Sequence, residues 1–190
     1  MLHPGTDNVA FFSSTAIATC SVKYTGKPAH AAASPWEGEN TLDALVLAHS
    51  AIGLLRQQLK PTDRVHGMVN QGGQAVNIIP EFSSATYSVR SPDALRVKEL
   101  MQKVENCFRG AAVATGTKVD VNWTRTLDMG DGNKVAGLNV HSNKLMAGRF
   151  QEYLEKKQGI KFSLDGGLLA NASTVKLLSS EYLMSRISGV

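Results

Sequence analysis

Three polar side chains in this 190-residue chain are of types that could act together on an acyl group. They are His30 in Gly26-Lys27-Pro28-Ala29-His30-Ala31, Asn77 in Asn77-Ile78-Ile79-Pro80, and Arg90, thirteen residues after Asn77. An imidazole can donate to an oxygen that turns negative during acyl transfer, a carboxamide adds a neutral donor, and a guanidinium offers a charged fork to a carboxylate. The set suits a substrate that carries a carboxylate. Taken singly, a loop histidine, an asparagine before a turn and an arginine at a strand end are ordinary surface or capping residues, so type and spacing alone do not decide. A self-contained hydrolase needs a nucleophile with its base, or a metal with its full ligand set. The chain has no His-Glu-x-x-His, Cys-x-x-Cys, Gly-x-Ser-x-Gly or phosphate loop. Asp128-Met129-Gly130-Asp131-Gly132-Asn133 has the outline of a calcium loop, but Gly130 stands where a third ligand belongs, and a solvated turn accounts for it.

These residues need elements to hold them. Alternation over Ala16–Tyr24 marks a strand with one buried face. A breaker-rich loop, Gly26 to Glu39, is long enough to suggest a working segment. Asn40 offers a cap with Asp43 three residues on, and Leu42, Leu45, Ala48, Ile52, Leu55 and Leu59 keep helical spacing up to Pro61. A second strand spans Arg64–Asn70 and a third Ser83–Arg90. Ser91 then caps a helix with Pro92 in its first turn, whose stripe from Val97 to Ala112 runs up to Gly116. A fourth strand, Lys118–Trp123, points Val119, Val121 and Trp123 inward. The order βαββαβ predicts an α+β, ferredoxin-like fold: a four-stranded antiparallel sheet with two helices on one face.

Composition narrows the function. Lys and Arg exceed Asp and Glu by 20 to 16, but the basic residues are scattered, which describes a solvated surface rather than a nucleic-acid footprint. RNA-binding domains of this topology expose stacking aromatics on the sheet, whereas Tyr24 and Tyr87 fall with the apolar face. No apolar run approaches the roughly 20 residues that a bilayer requires. Cys20 and Cys107 read as reduced, buried thiols, and with no signal-like N-terminus the expected location is cytoplasmic. Trp36 and Trp123 read as packing residues, and His49, His66 and His141 as scaffold. A third amphipathic helix covers Asn143–Gln158, with Gly159 as its stop.

Several strings, in order, carry a resemblance: Val22-Lys23-Tyr24-Thr25-Gly26-Lys27-Pro28-Ala29-His30-Ala31-Ala32, then Pro35-Trp36-Glu37-Gly38-Glu39-Asn40-Thr41-Leu42-Asp43-Ala44, then Arg64-Val65-His66-Gly67, and Asn77-Ile78-Ile79-Pro80 with Arg90. Together they resemble the lid or dimerisation domain of peptidase family twenty of clan MH, which includes aminoacylase, carnosinase and carboxypeptidase G. Pro35-Trp36-Glu37-Gly38 and Arg56-Gln57-Gln58-Leu59-Lys60-Pro61-Thr62 are similar to the branch of dipeptidases acting on Xaa-Arg and β-alanyl-lysine. The resemblance runs from about Met1 to about Thr174.

It implies a metal-dependent hydrolase with a catalytic domain holding two zinc ions, or manganese or cobalt, and a glutamate base. It implies a homodimer formed through the lid. His30 would then reach into the partner's active site to stabilise the oxyanion, while Asn77 with Arg90 bind the C-terminal carboxylate of a dipeptide or N-acyl amino acid. His3 would be one metal ligand. The family's metal-binding Cys and His, its Glu pair and its base correspond to positions upstream of Met1; downstream, Ala172-Ser173-Thr174 is similar to the start of a family motif in which Val175 replaces an Asp, and the closing metal histidine is lost. The expectation is a fragment from a truncated gene model or aberrant product, inactive alone and binding no metal ion stably. Its parts would be a catalytic-domain remnant at 1–15, the lid at 16–123, a linker at 124–142, a partial catalytic segment at 143–174 and a non-matching tail at 175–190. The alternative is a non-catalytic dimerisation or ligand-binding module.

Overall fold

The computed structural model describes residues 8, 10, 14–124, 126–128, 134–136 and 143–162. His3, His141 and everything from residue 163 onward, including Ala172-Ser173-Thr174, lie outside them. The chain divides into two compact units, Thr15–Asn139 and a second drawn from Met1–Ser14 with Val140–Val190.

In the first unit the strands are β1 (Ala16–Thr25), β2 (Ala29–His30), β3 (Arg64–Gln71), β4 (Ile78–Ile79), β5 (Phe82–Ser91), β6 (Lys118–Trp123), β7 (Thr126–Asp128) and β8 (Lys134–Ala136), and the helices are α1 (Thr41–Leu55) and α2 (Ala94–Thr115). The principal sheet has the order β3-β5-β1-β6, antiparallel throughout. This is the four-stranded α+β arrangement expected from the sequence. β1 and β5 pair over ten residues, from Ala16 opposite Ser91 to Thr25 opposite Phe82. On the inner face of that pair Ala18, Cys20, Val22, Ala85, Tyr87 and Val89 are buried under the two helices.

Three rings set the core's shape. Tyr87 packs edge-on against Phe108 of α2 at 5.1 Å between centroids, a favoured aromatic geometry. Tyr24 donates its hydroxyl to the Phe108 carbonyl at 3.0 Å, so a buried polar tip is satisfied. On its other side Tyr87 fills the space beneath Gly67 of β3, where an added Cβ would sit 2.3 Å from the ring. Both tyrosines are buried, so neither is a stacking platform.

The helix starts differ in how closely they follow expectation. Asn40 caps α1, accepting from the Leu42 N–H at 3.0 Å. That helix ends at Leu55 and tightens into a 3-10 turn, Arg56–Gln58. α2 is capped by Asp93, which accepts from the Leu95 N–H at 2.9 Å. Ser91 is therefore not the cap, and Pro92 precedes the helix. The Ser91 hydroxyl instead donates to Asp63 at 3.0 Å. The enclosed Asp63 carboxylate also accepts from the Lys60 N–H and from Arg96 Nε and Nη2, the last at 2.8 Å. Val119 and Val121 are half-buried rather than fully inward because β6 is an edge strand.

In the second unit the described residues form α3 (Lys144–Gln158), capped by Asn143, which accepts from the Met146 N–H at 3.1 Å. Asn8 Nδ2 donates to the Lys161 carbonyl at 3.2 Å.

Two consequences are measurable by urea denaturation. Gly67→Ala forces its methyl into the Tyr87 ring and is expected to cost about 1–3 kcal/mol. Burial alone would raise the Asp63 carboxyl, but the Arg96, Lys60 and Ser91 hydrogen bonds and the guanidinium charge outweigh it and hold it below its ordinary value of 3.8. Its stabilisation is thus complete above that value and is lost as pH falls through the lower folded one. Asp63→Asn should flatten this acid limb, and Asp63→Ala should cost about 1–3 kcal/mol by taking one enclosed acceptor from Ser91, Lys60 and Arg96, while Arg96 keeps its ion pair with Glu99.

Candidate functional site

The segment between β1 and α1 contains more structure than a loop. β2 and β4 form a two-stranded patch in which His30 pairs with Ile78 and Ala29 with Ile79. The Ala31 N–H donates to the Asn77 carbonyl at 3.0 Å. A 3-10 turn, Pro35–Glu37, follows, and Gly38 lets it sit against the patch, since a Cβ there would lie 3.0 Å from Ala29 Cβ and Ile79 Cγ2. The patch is fastened to the main sheet by the Gly26 N–H to the Glu81 carbonyl at 2.8 Å. Thr41 Oγ1 donates to the Pro80 carbonyl at 3.0 Å and Ser83 Oγ to the Thr41 carbonyl at 2.7 Å. The structure therefore brings His30 and Asn77 together on a braced surface at one end of the sheet.

The His30 ring has a defined orientation. Its Nδ1 accepts from the N–H groups of Ala32 at 3.2 Å and Ala33 at 3.1 Å. With Nδ1 an acceptor, the neutral imidazole carries its hydrogen on Nε2, the side turned away from the backbone. That leaves a directed donor on an exposed side chain. The two N–H groups that orient the ring are functional parts that side-chain chemistry could not reveal. Their signal was the small-residue run Ala31-Ala32-Ala33-Ser34, which lets the chain turn back on the histidine.

Arg90 is not with them. It lies next to last on β5, opposite Ile17 of β1 and Arg64 of β3. The His30–Asn77 patch adjoins the opposite end, where Thr25 faces Phe82. Eight positions along β5 separate Arg90 from Phe82, about 26 Å at the rise of a strand. One small ligand cannot touch all three residues of a single copy. Arg90 is half-buried on the helix-free face, and its Nε is enclosed without a hydrogen-bond partner.

Other candidates drop away. Burial pushes the Cys20 thiol up to about 12 and raises that of half-buried Cys107, so neither supplies a thiolate nucleophile at neutral pH. Among the described residues no three His, Cys, Asp or Glu side chains stand together as a metal site. None of its helices is long and apolar enough to cross a membrane. Trp36, expected to pack, is 76% exposed, because the turn that carries it rests on Gly38 and leaves the indole outside.

The model of the peptidase dimerisation domain matches residues 13–115. The chain belongs to this peptidase dimerisation-domain family. It is 42% identical to a mouse Xaa-Arg dipeptidase over 173 residues, 91% of this chain and 38% of that protein. It is 39% identical to the human Xaa-Arg dipeptidase, covering 37% of it. The chain thus spans less than two fifths of these relatives. An aminobenzoyl-glutamate utilization protein from Klebsiella pneumoniae shares the fold at TM-score 0.59 and 19% identity, over 86% of this chain and 40% of that one. A hydantoinase/carbamoylase-family amidase from Burkholderia vietnamiensis shares it at TM-score 0.62 and 12% identity, over 78% and 34%. Within the dimerisation domain, the nitrogen spectrum of the neutral His30 ring should show the hydrogen on Nε2; the opposite tautomer would contradict the two backbone contacts.

Proposed function

We propose that this domain is the lid of a metal-dependent dipeptidase or related amidohydrolase, and that it completes active sites as a homodimer with its three polar residues shared between copies. The separation of Arg90 from His30 and Asn77 carries this reading. β3 is an edge strand whose outer side is unpaired, with Met68 65% and Val69 52% exposed. α1 packs against β5, the strand next to that edge, with His49 Nδ1 within 2.9 Å of the Tyr87 hydroxyl, and it exposes Val46, Leu47 and Leu54. A long apolar edge seeks a partner, and a two-fold interface pairs the same strand with itself, antiparallel. The start of β3, beside Arg90, then meets the end of β3 in the other copy, which leads into Asn77. The same dyad generates two composite sites.

Each site combines His30 and Asn77 of one copy with Arg90 of its mate. Arg90 and Asn77 hold the carboxylate of a dipeptide or N-acyl amino acid, and His30 donates through Nε2–H to the oxygen that becomes negative. The names of the mouse and human relatives support a dipeptide ending in a basic residue. Metal ions and the base belong to a catalytic domain of the kind implied by the resemblance, with His3 as one ligand. The cytoplasm is the proposed location.

The test uses a chimera in which residues 15–124 replace the matching segment of the mouse Xaa-Arg dipeptidase. His30→Ala should lower kcat with metal content unchanged, and Arg90→Ala should chiefly raise KM. After subunit exchange, and with substrate well below the raised KM, mixing the two variants should restore about a quarter of full activity, because half the dimers are mixed and each mixed dimer holds one intact site. No recovery despite exchange, or a strict monomer in sedimentation, would exclude shared sites.

A further inference from the structure

Val65 is buried opposite Val89, so Arg64 and His66 share the helix-free face of the sheet with Ser88 and Arg90. His66 stands directly across from Ser88 and is therefore the diagonal neighbour of Arg90, a spacing of about 7–8 Å between Cα atoms that long side chains bridge. Arg64 turns away, its Nη1 donating to the carbonyls of Pro61 and Asp63. On β1, β3 and β5 the charged groups of this face are Arg64, Arg90 and, toward the far end, Lys23, with no carboxylate. Asp120 lies on β6, opposite Lys23. Neither the His66 nor the Arg90 side chain makes a hydrogen bond or ion pair with another described residue, and Arg90 Nε is enclosed without an acceptor. A cation next to a neutral imidazole with no counter-anion is an incomplete arrangement, and an oxyanion completes it.

We propose that His66 is a second carboxylate-binding residue, forming with Arg90 a two-residue clasp that takes up one solvent proton on His66 as the anion binds. This deepens the reading of Arg90 given above and rests on it. Partial desolvation, and then the charge of Arg90, hold the free imidazole below its ordinary value of 6.5. A bound carboxylate offsets that repulsion and moves His66 back up. Affinity therefore strengthens as pH falls through the bound value and levels off below the free one.

The experiment follows His66 by NMR in this chain during titration with β-alanyl-lysine and with its C-terminal carboxamide. The acid, and not the amide, should raise the His66 pKa. Arg90→Ala should raise it in the free protein by removing the neighbouring charge. His66→Gln should keep the fold but lose the strengthening of binding on going from pH 8 to lower pH, several-fold or more. If Arg90→Ala abolishes binding while the acid leaves His66 unmoved, the clasp is wrong and the role of Arg90 stands. If Arg90→Ala leaves binding intact, or no carboxylate binds at saturating acetate, both fall.

Discussion

The ten-residue antiparallel pairing of β1 with β5 is the constraint from which most of the structure follows. Side chains along a strand alternate between faces, so a slip of one position would exchange most of the slipped strand's buried residues for polar ones. Here the cost is plain: if β1 slipped, Ala18, Cys20 and Val22 would turn to water and Thr19 and Ser21 to the helices, and if β5 slipped, Ala85, Tyr87 and Val89 would give way to Thr86 and Ser88. Thr19 and Ser88 hydrogen-bond across the outer face at 2.9 Å and hold the same register from the other side. The pairing also fixes the distance between the Arg90 end and the patch carrying His30 and Asn77. Stability and the division of the site thus depend on one register.

The polar contacts within the apolar layer sit where elements meet. Thr41 and Ser83 join the start of α1 to the turn before β5, and Asp63 joins the start of β3, the end of β5 and the first turn of α2 through Ser91 and Arg96. One cluster fixes the His30–Asn77 end and the other the Arg90 end. Within these two clusters each buried side-chain donor or acceptor has a partner, so these contacts select a single arrangement instead of merely tolerating burial.

Strand and helix periods made the architecture legible: the alternation in β1 and β5 and the stripe of α2 appear in the structure as read. Local chemistry was less decisive where tertiary demand intervened. Ser91 and Asp93 can both cap a helix, and Asp63, distant in sequence, claims the serine. Trp36 resembles a core residue by type alone, but its exposure follows from the close approach of Gly38 to Ala29 and Ile79, which no periodicity reveals. The short β2–β4 patch lies below the length at which alternation gives a signal. Residue types pointed to His30, Asn77 and Arg90, but their placement at two ends of one strand pair needed the register. His66 looked like scaffold because its significance comes from a neighbour on another strand.

The close approach of Gly67 to the Tyr87 ring places an evolutionary condition on the domain. Its ring occupies the volume that a side chain at position 67 would need, so the two positions share one fixed allotment of space. Bulk gained on the border strand must be surrendered by the aromatic below it, and a smaller residue at 87 would leave a hollow beside Phe108 and deprive His49 of its phenolic contact. A change at either position alone therefore carries a packing cost that a compensating change at the other relieves.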